Sequence, residues 1–152
     1  MAQAPRTAPS PLRSVLHLLH RAGQRADSVF AGHVGNALTP RQFAILQAVA
    51  EADGLSQTGI MAATGIDRSS TADLVRRLVS QGCLHRRRTK RDARLYAVRL
   101  TPEGRRAWSQ GVPAARATEE TLLSSLAPAQ RAAFLKALAV IATGSENERP
   151  ST

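Results

Sequence analysis

Three times along the chain a Ser or Thr stands before Pro where apolar residues begin to recur at helical spacing: Ser10-Pro11, Thr39-Pro40 and Thr101-Pro102. A hydroxyl side chain caps the free backbone N–H groups at a helix start. Pro suits the first helical position because its missing N–H has no partner there. The pattern predicts a first helix from about Pro11 to Val34 with Ser10 as its cap. Leu12, Leu16, Leu19, Ala26 and Phe30 form its stripe, widened by Val15, Ala22 and Val29. Gly35-Asn36 ends it. A second helix follows Thr39-Pro40 with Phe43, Leu46, Val49 and Ala50 inward, until Asp53-Gly54 stops it.

Next come two short helices. Ser56 caps one that runs to about Ala63, Thr64-Gly65 is a tight turn, and Asp67 caps one that runs to Gln81. Leu74, Val75 and Leu78 face inward and Gly82 marks the end. Two helices joined by a Gly-containing turn match a helix-turn-helix. The period then changes: Cys83–Arg88 and Leu95–Leu100 read as strands around a polar tip, giving a basic β-hairpin. A long helix follows Thr101-Pro102 toward Ser125. Gly111-Val112-Pro113 interrupts it as a kink, because the apolar pattern resumes at Ala114. A last helix, Pro128 to Thr143, carries Phe134, Leu138 and Ile141 on one face. The fold class is mainly α with a small β-hairpin wing: a winged helix-turn-helix with flanking N- and C-terminal helices.

Composition sharpens this picture. Only 3% of the 152 residues are aromatic, so the core is built of Ala, Leu and Val, which favours packed helices. The single Cys83 excludes an internal disulfide and any multi-Cys zinc site. No apolar run reaches the ~20 residues of a membrane helix, and Met1–Ser10 has no secretory core, so a cytoplasmic chain without membrane association is expected. The net charge is +10, and of 21 basic residues 19 are Arg. From Arg41 to Arg106 there are 13 basic and 6 acidic residues, so most of the excess lies on the helix-turn-helix and hairpin. A GC-rich genome explains Arg in place of Lys but not the excess over acids. A polyanionic partner does. No Gly-x-Ser-x-Gly, phosphate-cradling Gly loop, dinucleotide fingerprint or His-Glu-x-x-His is present, so no enzyme and no cofactor is expected.

The chain resembles the MarR (multiple antibiotic resistance regulator) family of transcription factors. The resemblance is carried in order by Leu38-Thr39-Pro40-Arg41-Gln42-Phe43-Ala44-Ile45-Leu46, by Asp67-Arg68-Ser69-Ser70-Thr71 with Leu74-Val75-Arg76-Arg77-Leu78, and by Gly82-Cys83-Leu84-His85-Arg86. Asp92-Ala93-Arg94 and Leu100-Thr101-Pro102-Glu103-Gly104 complete it, and their spacing is the specific part. The resemblance implies a homodimeric regulator of double-stranded DNA, most often a repressor. It divides the chain into an N-terminal dimerisation helix 10–36, a DNA-binding lobe 37–104 and C-terminal dimerisation helices 105–144, between a Pro/Ala-rich tail 1–9 and a polar tail 145–152 whose composition predicts disorder. The wide apolar faces of the terminal helices fit dimerisation independently.

The helix from Arg68 to Gln81 is then the recognition helix, with its N-terminal half in the major groove. Its outward residues are Arg68, Ser69, Ser70, Ala72, Asp73 and Arg76. Arg76 suits guanine, and Ser69 and Ser70 suit phosphate or base edges. Asp73 departs from the family's neutral or basic residue. It either accepts from cytosine or holds a neighbouring Arg, and Arg77 or Arg76 as its partner is the favoured reading. Ser56, Gln57 and Thr58 meet phosphate through free backbone N–H groups. On the wing stand Arg87, Arg88, Lys90, Arg91 and Arg94. By resemblance Arg94 reaches the minor groove and Asp92 steadies the wing.

The resemblance also implies a small aromatic or anionic effector. His17, Arg21, Arg41 and Trp108 are the candidates, a cation and aromatic set that suits an aromatic carboxylate. His17-x-x-His20 lacks further metal ligands, so no metal is expected. Cys83 reads as a packing residue at the start of the wing. Competing readings are a redox regulator acting through Cys83, a non-specific nucleoid protein, and a winged helix for an acidic protein partner.

Overall fold

The computed structural model describes residues 10–88 and 96–144. A short 3-10 turn, Pro11–Arg13, precedes α1 (Val15–Val34). Then come α2 (Pro40–Glu51), α3 (Gln57–Thr64), α4 (Arg68–Ser80), β1 (Leu84–Arg88), β2 (Tyr96–Leu100), α5 (Pro102–Leu123) and α6 (Pro128–Thr143). The architecture is mainly helical with one antiparallel hairpin, as the pattern predicts.

Most helix starts are the expected ones. Thr39 caps α2 in a reciprocal box with Gln42, Ser56 accepts from the Gly59 N–H, and Asp67 accepts from the Ser70 N–H. The first helix corrects the sequence reading. Its cap is Ser14, whose hydroxyl accepts from the His17 N–H, and not Ser10. The Ser10 carbonyl instead accepts from the Arg13 N–H, closing the 3-10 turn, so the α-helical ladder begins only after the next available hydroxyl. The long helix also runs as one unit through Pro113, from Pro102 to Leu123.

The core gathers Leu46, Val49, Ile60, Val75, Leu78, Leu84 and Val98 around Ile45, which has no exposed surface. Phe30 brings the C-terminal half of α1 into this core, its ring 5.8 Å from that of Phe43. The sequence reading of α2 placed Phe43 and Ala50 inside and left Ile45 out. Both are only half-buried, because α2 is flanked by α3, α4, α5 and β2 and its centre lies on Ile45. Leu84 pairs with Leu100 and Arg88 with Tyr96 in the hairpin, and Leu55 adds a single bridge to Val98 on the far edge of β2.

Helix α5 approaches the rest of the lobe at two glycines. At Gly104 a Cβ would overlap the Cys83 carbonyl oxygen, and at Gly111 it would overlap the Phe43 ring. Two ends of the chain behave differently. The 3-10 turn exposes Leu12, and the N-terminal half of α1 exposes Val15, Leu16 and Leu19. No residue of α6 is buried, and Phe134, Leu135, Val140 and Ile141 stand exposed.

Candidate nucleic-acid interface

Three structural devices hold α4 on the lobe. At its start Asp67 accepts from the Ser70 N–H at 2.9 Å and from the Ser69 hydroxyl at 3.0 Å. These donors hold its carboxyl at about 2, below the ordinary 3.8; the Ser70 backbone N–H is the largest cause. Along the inner face Val75, Leu78 and Thr71 are sealed, and Thr71 donates its hydroxyl to the Ile66 carbonyl. Sequence reasoning missed Thr71, since a polar type gives no inward signal until its acceptor is known. At the end of the helix the Gly82 N–H donates to Val79 and the Cys83 N–H to Leu78, a Schellman closure.

The outward face then follows. Arg68, Ser69, Arg76 and Arg77 are exposed, and Ser70, Ala72 and Asp73 are partly so. Asp73 forms an ion pair with Arg76, one helical turn on, and not with Arg77. The acid on the outward side of α4 thus holds a cation. Ser69 donates its hydroxyl to Asp67, so that hydrogen is engaged inside the cap. Ser56 and Thr58 are exposed and Gln57 half-buried at the start of α3; the Ser56 hydroxyl already accepts from Gly59.

On the hairpin the basic run splits by the pleat. Arg88 lies over the Tyr96 ring at 5.7 Å and donates to its hydroxyl at 3.2 Å. Arg87 lies on the other face with His85 and Arg99. Lys90, Arg91, Asp92 and Arg94 lie outside the described residues.

One linkage ties the end of α4 to α5. Thr101 caps α5 through its hydroxyl, which accepts from the Gly104 N–H at 3.0 Å and donates to the Gly82 carbonyl. Its backbone N–H donates to Cys83 at 3.1 Å. The Cys83 thiol is half-buried, and burial, reinforced by the nearby Glu103 carboxylate, pushes its pKa up. That opposes the thiolate a redox sensor needs.

The structure does not gather the four effector candidates. His17, Arg21 and Arg41 are exposed, whereas Trp108 packs against the core and donates its indole N–H to Gln47 at 2.6 Å. Two surface clefts among the described residues are lined by none of the four. Among the described residues no three His, Cys, Asp or Glu side chains come together, and no helix is long and apolar enough to cross a membrane.

Comparison with known proteins agrees with this geometry. A MarR family model matches residues 38–95. The HTH-type transcriptional repressor NicR of Pseudomonas putida is 30% identical over 132 residues, 86% of this chain and 84% of NicR. A putative transcriptional regulatory protein for the hcr operon of Thauera aromatica is 30% identical over 98 residues, 64% of this chain but only 59% of that protein's length. Among solved structures, PcaV of Streptomyces coelicolor in complex with its natural ligand superposes with a TM-score of 0.85 at 28% identity, covering 93% of this chain and 100% of PcaV. Bordetella bronchiseptica BpsR, whose DNA binding is regulated by 6-hydroxynicotinic acid, gives 0.83 at 29%, covering 91% and 99%. The repressor CouR bound to a 23-mer DNA duplex gives 0.76 at 30%, covering 86% and 94%. The chain belongs to the MarR family of transcriptional regulators.

Proposed function

We propose that this chain is a DNA-binding, effector-responsive repressor that recognises a palindromic operator as a homodimer. The observation that carries this reading is the outward face of α4. It presents Arg68, Ser69 and the Asp73-held Arg76 on a helix locked at both ends. One such helix covers too few base pairs to select a genomic site, so two are needed on one face of the duplex. The uncovered apolar residues of α1 and α6 supply a surface for the second copy. Arg76 reads guanine, and the α3 start from Ser56 to Thr58 meets phosphate. Arg87, Arg88 and the wing tip with Lys90, Arg91 and Arg94 flank the groove. Asp92 steadies that tip. CouR on DNA supports this docking, and BpsR and PcaV support control by a small organic ligand. For the effector, His17, Arg21, Arg41 and Trp108 remain the proposed set, completed by assembly of two chains.

Footprinting of the chain's own promoter region, together with light scattering, tests the reading. Protection of an imperfect palindrome with half-sites about 10 base pairs apart, by a species of twice the chain mass, is expected. Arg94→Ala should weaken that binding by about 1–3 kcal/mol. Protection by a monomer, or equal affinity for unrelated duplex at one fixed salt, would overturn it.

A further inference from the structure

The hairpin face opposite the one that reaches the core is not a plain solvated surface. His85, Arg87 and Arg99 share it, since His85 pairs with Arg99 across the ladder and Arg87 lies two residues on. Arg105, from the first turns of α5, joins them on a cleft of about 280 Å³. Val49 and Leu100 give part of the lining an apolar character. Three arginines therefore line one small concavity that has a single carboxylate residue, Asp53, in its lining. Asp53 accepts from Arg99 at 3.2 Å, and the Arg99 stem lies against Gly54, where a Cβ would stand 3.0 Å from its Cγ. Arg99 is thus set in place by the turn after α2, and among the described residues Asp53 is its one side-chain hydrogen-bond partner. No residue of α3 or α4 lines the cleft, and of its three arginines only Arg87 is shared with the proposed DNA contacts.

Cations converging from β1, β2 and α5 repel one another unless an anion lies between them. A planar carboxylate satisfies one or two guanidinium forks. A tetrahedral phosphoryl group offers oxygens toward all three directions. We propose that this cleft binds a compact phosphoryl-bearing anion, with the charged head among Arg87, Arg99 and Arg105 and any short organic body against Val49 and Leu100. Occupancy would cross-link the hairpin to α2 and α5.

Calorimetric titration of the full chain with inorganic pyrophosphate, at constant ionic strength, tests this. Saturable binding of one anion per chain below about 10 mM is expected. Arg99→Gln and Arg105→Gln should each weaken it about tenfold or more, with circular dichroism and melting unchanged, whereas Arg76→Gln should leave it intact. Both cleft variants should keep duplex affinity within about twofold. Absence of saturation, an equal loss in Arg76→Gln, or succinate binding as tightly as pyrophosphate would overturn the proposal. A parallel loss of duplex affinity in both cleft variants would overturn it too, since the cleft would then be a DNA-backbone contact.

Discussion

At the scale of single residues, the interface depends on how acids are used beside a polyanion. Asp67 spends its charge on the backbone at the start of α4, and Asp73 spends its charge on Arg76. The two predict different behaviour. The Asp67 carboxyl titrates at about 2 in the folded chain against an ordinary 3.8. A carboxylate lowered in this way stabilises the fold above the ordinary value, and that contribution is lost as pH falls from there through the lowered one. Wild type should therefore lose stability relative to Asp67→Asn between about pH 4 and pH 2, measurable by acid unfolding and by NMR titration of the carboxyl carbon. Parallel acid curves for the two proteins would contradict it. Cys83 gives a second residue-scale expectation. With its thiol pKa raised by burial, Cys83→Ser should leave DNA binding and effector response unchanged under mild peroxide. Peroxide-sensitive operator binding in wild type alone would make the protein a redox switch.

At the scale of elements, what could be read from the chain and what could not divide along sequence distance. Caps, turns and the change of period are local, so α2 to α5 and both strands were legible from Thr39, Ser56, Asp67, Thr101 and the alternation on either side of the tip, and α6 from Pro128 and its apolar spacing. The Ser14 start was not, because Ser10 and Ser14 are both good caps and the choice depends on which ladder the intervening three residues adopt. Arg99 was invisible as a candidate because the fold alone brings it to Asp53 and to the cleft that Arg105 also lines. The glycine of the Leu100–Gly104 motif was legible as a motif but not as a contact. Its reason is the Cys83 carbonyl, which leaves no room for a methyl group. Gly104→Ala should cost about 1–3 kcal/mol by overpacking, read as a lower denaturant midpoint. Gly111→Ala should behave similarly against the Phe43 ring. Gly23, with open space around it, is the control: Gly23→Ala on the exposed face of α1 should be neutral or stabilising.

At the scale of the whole molecule, the proposed homodimer gives the exposed apolar surface an occupant. Leu16 is 81% exposed and Val140 and Ile141 are each 56% exposed, on helices at opposite ends of the sequence. Removing 127–152 should convert the proposed dimer to a monomer and abolish specific operator binding, while the helix-turn-helix keeps its fold by circular dichroism. A truncated monomer that protects the same palindrome with undiminished affinity would sink the dimer reading. With roughly 6–10 phosphates neutralised per dimer, affinity should also fall about 10³–10⁵-fold between 50 and 200 mM salt. A shallow salt slope would mean that the basic lobe is not the contact surface.

The meeting of Thr101 and Gly104 with Gly82 and Cys83 has a further consequence. Because the end of α4 and the start of α5 share both a side-chain hydroxyl and a backbone bond, neither can loosen alone. A signal travelling along α5 must arrive as rigid displacement, with little local melting. In hydrogen–deuterium exchange, the amides of Cys83 and Thr101 should therefore open together at one rate, and an effector should shift both equally or neither.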